Sequence, residues 1–227
     1  MSSYSDRFKK YAAKARNRQG FDATLLKFGG DNGNWTSGKK PDVVDRNGRR
    51  LGADVPDMMH GHLKFADNLP IYDLCRVDSD VVPRPREALG DLDKNLWRNG
   101  EDPWRWIAAL SLFDLETHEI FLFTTSSMGG LDATGVLAEA YADNVAAHPE
   151  DVNRLPVVEL ASDSYVNTKG KKIFNPIFDI VDWAERPAGI RRLKPPPPPP
   201  LAIEEQGSLD FDEDGGSPDG DDTNIPF

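Results

Sequence analysis

The chain has 227 residues, of which 27 are Lys or Arg and 38 are Asp or Glu, for a formal net charge of −11 at pH 7, and 38 % are hydrophobic. A single cysteine, Cys75, excludes an internal disulfide and the bridge-stapled secreted scaffolds. No run approaches the ~20 apolar residues that a membrane span requires, and the N-terminus lacks the apolar centre of a signal peptide, so a soluble, cytoplasmic protein is expected.

The charge is segregated along the chain. Residues 1–50 carry 12 basic and 5 acidic side chains, net +7; residues 51–186 carry 12 and 24, net −12. Residues 187–200 add three bases, and residues 201–227 hold nine acids and no base.

In chain order, Ser5 caps an expected basic helix over Asp6–Gln19, with Gly20 as its stop. Its Phe8, Tyr11, Ala12 and Ala15 share one face among lysines and arginines, which suits a solvated helix or an arm that touches phosphates. Residues 29–40 read as a glycine-rich loop around Trp35, without the Gly-Lys-Ser/Thr ending of a phosphate cradle. Val43–Gly52 reads as a hairpin turning at Asn47-Gly48. Strands are expected at Ile71–Val77, Trp106–Phe113 and Glu119–Thr125, the last two joined by a short turn. Met128-Gly129-Gly130 breaks the pattern, and a helix follows over Asp132–Ala146, with Val136, Leu137, Ala140 and Tyr141 on one side. Pro156–Ala161 and Ile173–Trp183 are the final strands, separated by a polar loop over 162–172.

The order β-β-β-α-β-β is that of the OB-fold, a partly open Greek-key barrel, so a mainly β fold of that kind is expected over 43–186. Residues 1–42 form a basic extension before it. Six prolines at 195–200 end a linker over 187–200 and favour an extended polyproline helix. The acidic tail, 201–227, is too polar to pack and is expected to be disordered.

Single-strand binding in such a barrel combines stacked aromatics with a basic groove. Aromatics at strand spacing are Trp104 with Trp106, Phe121 with Phe123, and Phe174, although one face of each strand must be core. Tyr165, Lys169, Lys171 and Lys172 gather in the loop between the last two strands, a position that OB-folds use to clamp nucleic acid. The net −12 of the body opposes this reading. Enzyme signals are weaker: His60-Gly61-His62 lacks further metal-ligand spacing. Glu87, Asp91, Asp93, Glu101 and Asp102 lie in a loop where solvation accounts for them. No catalytic residue, metal or cofactor is therefore expected.

The end of the chain carries the most specific pattern. Asp219, Asp221 and Asp222 precede Ile225-Pro226-Phe227 at the free carboxylate. This resembles the C-terminal tip of bacterial single-stranded DNA-binding proteins, although Thr223 and Asn224 here separate the aspartates from Ile225. The resemblance implies that the tip recruits replication, recombination and repair enzymes, with the terminal ring in an apolar pocket and the carboxylates on basic residues. The body is similar to a group of phage and prophage proteins, through Asp102-Pro103-Trp104, Phe123-Thr124-Thr125-Ser126-Ser127 with Gly129-Gly130, and Pro156-Val157-Val158-Glu159-Leu160 with Ser164-Tyr165. That likeness implies a phage-type setting and no particular activity. The expected function is single-stranded DNA binding without sequence readout. The alternatives are an acidic decoy that engages a host DNA-processing factor and a metal-dependent nuclease using the loop carboxylates.

Overall fold

A computed structural model describes residues 23–38, 40–66, 69–190 and 192–193. Among them 43 % are in strands and one segment is α-helical, so the protein is mainly β, with its sheet curled into a half-barrel. The expected N-terminal basic helix, the six prolines and the acidic tail lie outside the described residues.

The strands are β1 (Thr24–Phe28), β2 (Trp35–Ser37), β3 (Val44–Asp45), β4 (Arg50–Ala53), β5 (Met59–Ala66), β6 (Leu69–Arg76), β7 (Arg105–Phe113) and β8 (Ile120–Thr125). After the helix α1 (Met128–Ala147) come β9 (Arg154–Val166) and β10 (Lys172–Glu185). The main sheet runs β10-β9-β4-β7-β8-β1-β2-β3, with β5 paired to both β6 and β7. Every pairing is antiparallel except that of β1 with β8.

The centre of the architecture is one bent run along β7. β4 meets the end of β7 at Gly52–Phe113 and Ala53–Leu112, a 3-10 turn at Val55–Asp57 interrupts it, and β5 resumes from Met59–Ala109 to Leu63–Arg105. On their other edges β4 takes β9 and β5 takes β6. Gly61 makes the curl possible: its φ is +144°, and a Cβ there would overlap the Asp73 carbonyl across the ladder.

Strand alternation sends Leu51, Leu110, Leu112, Phe121, Phe123, Val158, Leu160 and Phe178 into one core, closed by Leu137 of α1. In β10, Phe178 and Ile180 face this core opposite Leu160 and Val158. A bulge then inserts Val181 and returns Trp183 to that side opposite Pro156, where its ring lies 6.1 Å from Tyr141. Strict alternation along Ile173–Trp183 would set Trp183 on the face opposite Phe178, and the bulge reverses it.

Several expectations are corrected. Trp35 belongs to no open loop: it is wholly buried, its ring packs on Phe28, Phe123 and Phe178, and its Nε1 donates to the Ala161 carbonyl at 2.7 Å. Asn47-Gly48 is a turn but closes no hairpin. β3 pairs with β2, both edges of β4 are taken by β7 and β9, and the Gly48 amide donates to Leu160. β5 had no counterpart in the sequence reading, because its two histidines and glycine mask the apolar alternation. The helix starts at Met128, capped by the Ser127 hydroxyl, which accepts from the Gly130 amide at 3.2 Å. Gly129 and Gly130 do not break it. They let its first turn sit against Asn175 and Thr125, where any larger side chain would collide. The buried stripe of α1 is Ala133, Leu137, Ala138 and Tyr141, and Val136 is exposed. The loop between β9 and β10 shrinks from 162–172 to 167–171 because the strands zip further. β1 and β2, from the segment read as an N-terminal extension, are part of the sheet.

Candidate nucleic-acid interface

The tip of the β9–β10 hairpin is built by Asn167, whose Oδ1 accepts from the amides of Lys169 and Lys171 at 3.0 and 2.9 Å, while Gly170 turns the chain at φ +74°. Tyr165 is 51 % exposed, and Lys169, Lys171 and Lys172 all face solvent. Lys172 lies over the Phe174 ring, its Nζ 4.8 Å from the centroid. Phe174 is half-buried: its ring fills the space above Gly33, and its amide donates to the Gly30 carbonyl at 2.9 Å. Lys171 reaches Asp31 on the same turn at 2.6 Å and holds that carboxyl below its usual range. Among the described residues, Lys169 and Lys172 make no ion pair. Five of the expected residues thus lie at or near one hairpin tip, but not on one face: Lys172 and Phe174 share a side of the ladder, and Tyr165, opposite Ile173, points to the other.

The other aromatics divide. Phe121 is completely buried and Phe123 is 3 % exposed, so both are core and neither has a face to offer a base. Trp104 is 4 % exposed, its Nε1 donating to Asp91 at 3.1 Å and its ring covered by Lys64 at 4.9 Å. These three leave the expected stacking set, because Phe121 and Phe123 point from β8 into the packed interior and Trp104, just before β7, is closed over by Asp91 and Lys64. Trp106 remains 43 % exposed at the open end of β7. The rings of His60 and His62 stand edge-on to it at 5.4 and 5.0 Å. Burial pushes both imidazoles below their ordinary pKa.

Three of the loop carboxylates are engaged with cations and a fourth with an amide. Asp102 takes Arg86 at 2.7 Å, Asp91 takes Lys64 at 2.6 Å, Glu101 takes Arg105 at 2.8 Å, and Asp93 caps the Asn95 amide. Among the described residues no group of three or more His, Cys, Asp or Glu is placed to hold a metal ion.

A second charged cluster lies under the bend between β4 and β5. Asp54 and Asp57 are almost wholly buried. Arg186 meets Asp54 at 2.6 Å and Asp57 at 3.4 Å, Arg76 meets Asp57 at 2.7 Å, and Arg192 meets it at 3.3 Å. Burial pushes Asp54 up to about 6 against the pull of Arg186. Leu193 packs on Met59, Ala109 and Leu122 on the outer face of the sheet. The start of the C-terminal linker is therefore strapped to the barrel, and Arg192 is already partnered; Arg191 and Lys194 lie outside the described residues, as do the tip residues from Asp219 to Phe227.

No protein-family model, curated protein or solved structure matches the chain. No helix among the described residues is long and apolar enough to cross a membrane.

Proposed function

We propose that the protein is an OB-like single-stranded DNA-binding protein of phage type that binds without sequence readout and acts by sequestration and recruitment rather than catalysis. The fold part of this reading rests on connectivity. The bent β4–β5 run pairs with both β7 and β9, β7 continues to β8, α1 separates β8 from β9, and β10 follows β9. Those are the neighbours of a five-stranded Greek-key barrel in which β4–β5 is the first strand. The departure from it is that β8 takes β1 as its parallel neighbour.

The observation that carries the function is the hairpin tip. Exposed Lys169 and Lys171 sit on the loop between the fourth and fifth barrel strands, one of the two loops that clamp nucleic acid in this fold, and exposed Tyr165 and Lys172 sit on the strand ends beside it. Phosphates meet the lysines, bases stack on Tyr165 and Trp106, and release of counterions supplies much of the affinity. The acidic tail presents Asp219, Asp221, Asp222 and the Ile225-Pro226-Phe227 end to replication, recombination or repair enzymes.

Fluorescence anisotropy of a labelled oligo-dT across a salt series tests the reading. Binding that weakens linearly in log salt is expected. Absence of binding at low salt favours the decoy reading, and divalent-dependent loss of the oligonucleotide favours the nuclease.

A further inference from the structure

The end of the β5–β6 hairpin carries an aromatic that the expected site does not include. Phe65 is 67 % exposed and forms a ridge between two hollows, of about 460 and 560 Å3, both of which it lines together with Pro103 and Arg98. Its phenyl ring is thus exposed and bordered by open space in both hollows. The floor on one side is the outer face of β5 and β7, through Leu63 and Arg105; on the other it is Leu92, Leu96 and Trp97.

The charge around these hollows is sorted. The four carboxylates that line them are each engaged: Asp91 with Lys64, Asp93 with Asn95, Glu101 with Arg105 and Asp102 with Arg86. Arg98, shared by both hollows, makes no ion pair or side-chain hydrogen bond among the described residues. Its loop is held in place by Arg86 on the Gly90 carbonyl at 2.6 Å and by the Trp97 Nε1 on the Asp91 carbonyl at 2.7 Å. Among the residues that line the hollows, Arg98 is thus a cation without an ion pair, on a held loop, beside an exposed aromatic ridge.

We infer that this ridge is a nucleotide subsite: Phe65 stands between two successive bases of a single strand, one in each hollow, and Arg98 takes the phosphate that links them. This deepens the single-strand reading and rests on it. A base has a π-face whatever its identity, so the subsite is sequence-tolerant. The planar guanidinium matches a phosphate bidentately, as a lysine would not.

The test uses the full chain, labelled oligo-dT and three variants. Phe65→Ala weakens binding by roughly 5- to 150-fold with its salt slope unchanged, because a stack releases no counterions. Phe65→Trp restores affinity, which a merely structural role would not predict. Arg98→Gln lowers the slope of log affinity against log salt by about 0.7. Photocrosslinking of a 5-iododeoxyuridine oligonucleotide places adducts on Phe65. If the unaltered chain binds oligo-dT but Phe65→Ala and Arg98→Gln bind equally well, the subsite is overturned while the general reading stands. If the unaltered chain binds no oligonucleotide, both fall. A third outcome, in which Phe65→Ala weakens capture of a peptide ending in Ile-Pro-Phe and leaves oligo-dT affinity intact, assigns the hollows to peptide and overturns the inference.

Discussion

At the residue scale, Trp35 shows how much one side chain can organise. It touches β1, β8 and β10 through Phe28, Phe123 and Phe178, and its indole N–H satisfies a carbonyl of β9. Trp35→Ala opens a cavity among these strands and costs about 3–5 kcal/mol, measured by urea unfolding. A loss below about 1 kcal/mol would contradict its place in the core. Two aspartates act in opposite directions with pH. For Asp114, burial opposes ionisation, but Arg49 and the amides of Thr117 and Glu116 outweigh it and bring the carboxyl down to about 2. Its contribution is present above about 4 and is lost as pH falls toward 2. Asp54 is raised to about 6, so the folded state binds its proton more tightly than the unfolded chain does. Stability from this group therefore falls as pH rises from about 4 to about 6. Thermal melts across pH 3–8 should show that decline, and Asp54→Asn should flatten it. A slope that survives the substitution would assign the titration elsewhere.

At the element scale, two appendages of the barrel bear on function. The β9–β10 hairpin projects its lysines from a tip built by Asn167 and Gly170, away from the core, so charge can be removed there without disturbing packing. Replacing Lys169, Lys171 and Lys172 together by Gln should flatten the salt slope of oligo-dT binding by about 2 if all three meet phosphates. The melting temperature should barely move, since exposed substitutions usually stay within about 0.5 kcal/mol. An unchanged slope would detach this tip from the nucleic acid. The other appendage is the strap from Arg186 to Leu193, held by two arginines on a buried carboxylate pair. Such pairs contribute little net stability when intact, yet strand a charge when one partner is removed. The strap thus brings the chain, as far as Leu193, onto the outer face of β5, β7 and β8.

At the scale of the whole molecule, the net −12 of residues 51–186 counts most against nucleic-acid binding. Part of that excess is met by bases from outside the segment: Arg49 on Asp114, Arg50 on Glu159, Arg46 on Glu119 and Arg192 on Asp57. Asp54, Asp57, Asp73 and Asp114 are buried, each with at least one arginine. Among the described residues, cations without an ion pair sit at the hairpin tip, on Lys169 and Lys172, and on Arg98, so the charge is unevenly spread. The proposed function makes the tail a competitor of nucleic acid, with nine acids against the +7 of residues 1–50. Deleting 201–227 should tighten oligo-dT binding at low salt, with the difference fading as salt screens it. Equal affinities at low salt would sink the idea that the tail masks the basic regions.

The sequence by itself determined the elements whose signals are local. Asp114–His118 turns β7 into β8, the apolar alternation of Trp106–Phe113 and Glu119–Thr125 marks two strands, and the helix-then-two-strands order after them follows from periodicity. It also placed Lys169 and Lys171 in a loop, because Asn167 and Gly170 are turn residues whatever surrounds them, although Tyr165 and Lys172 belong to the strands on either side. What it left open were the choices made by pairing partners distant in the chain. Only the fold turned Trp35 from a loop aromatic into a core residue, gave both edges of β4 away from the Asn47-Gly48 turn, and moved Trp183 across β10 through a bulge. It likewise buried Phe121, Phe123 and Trp104 and left Phe65 bare. Alternation states that two faces differ, but which face meets the core is decided by the sheet that closes over it.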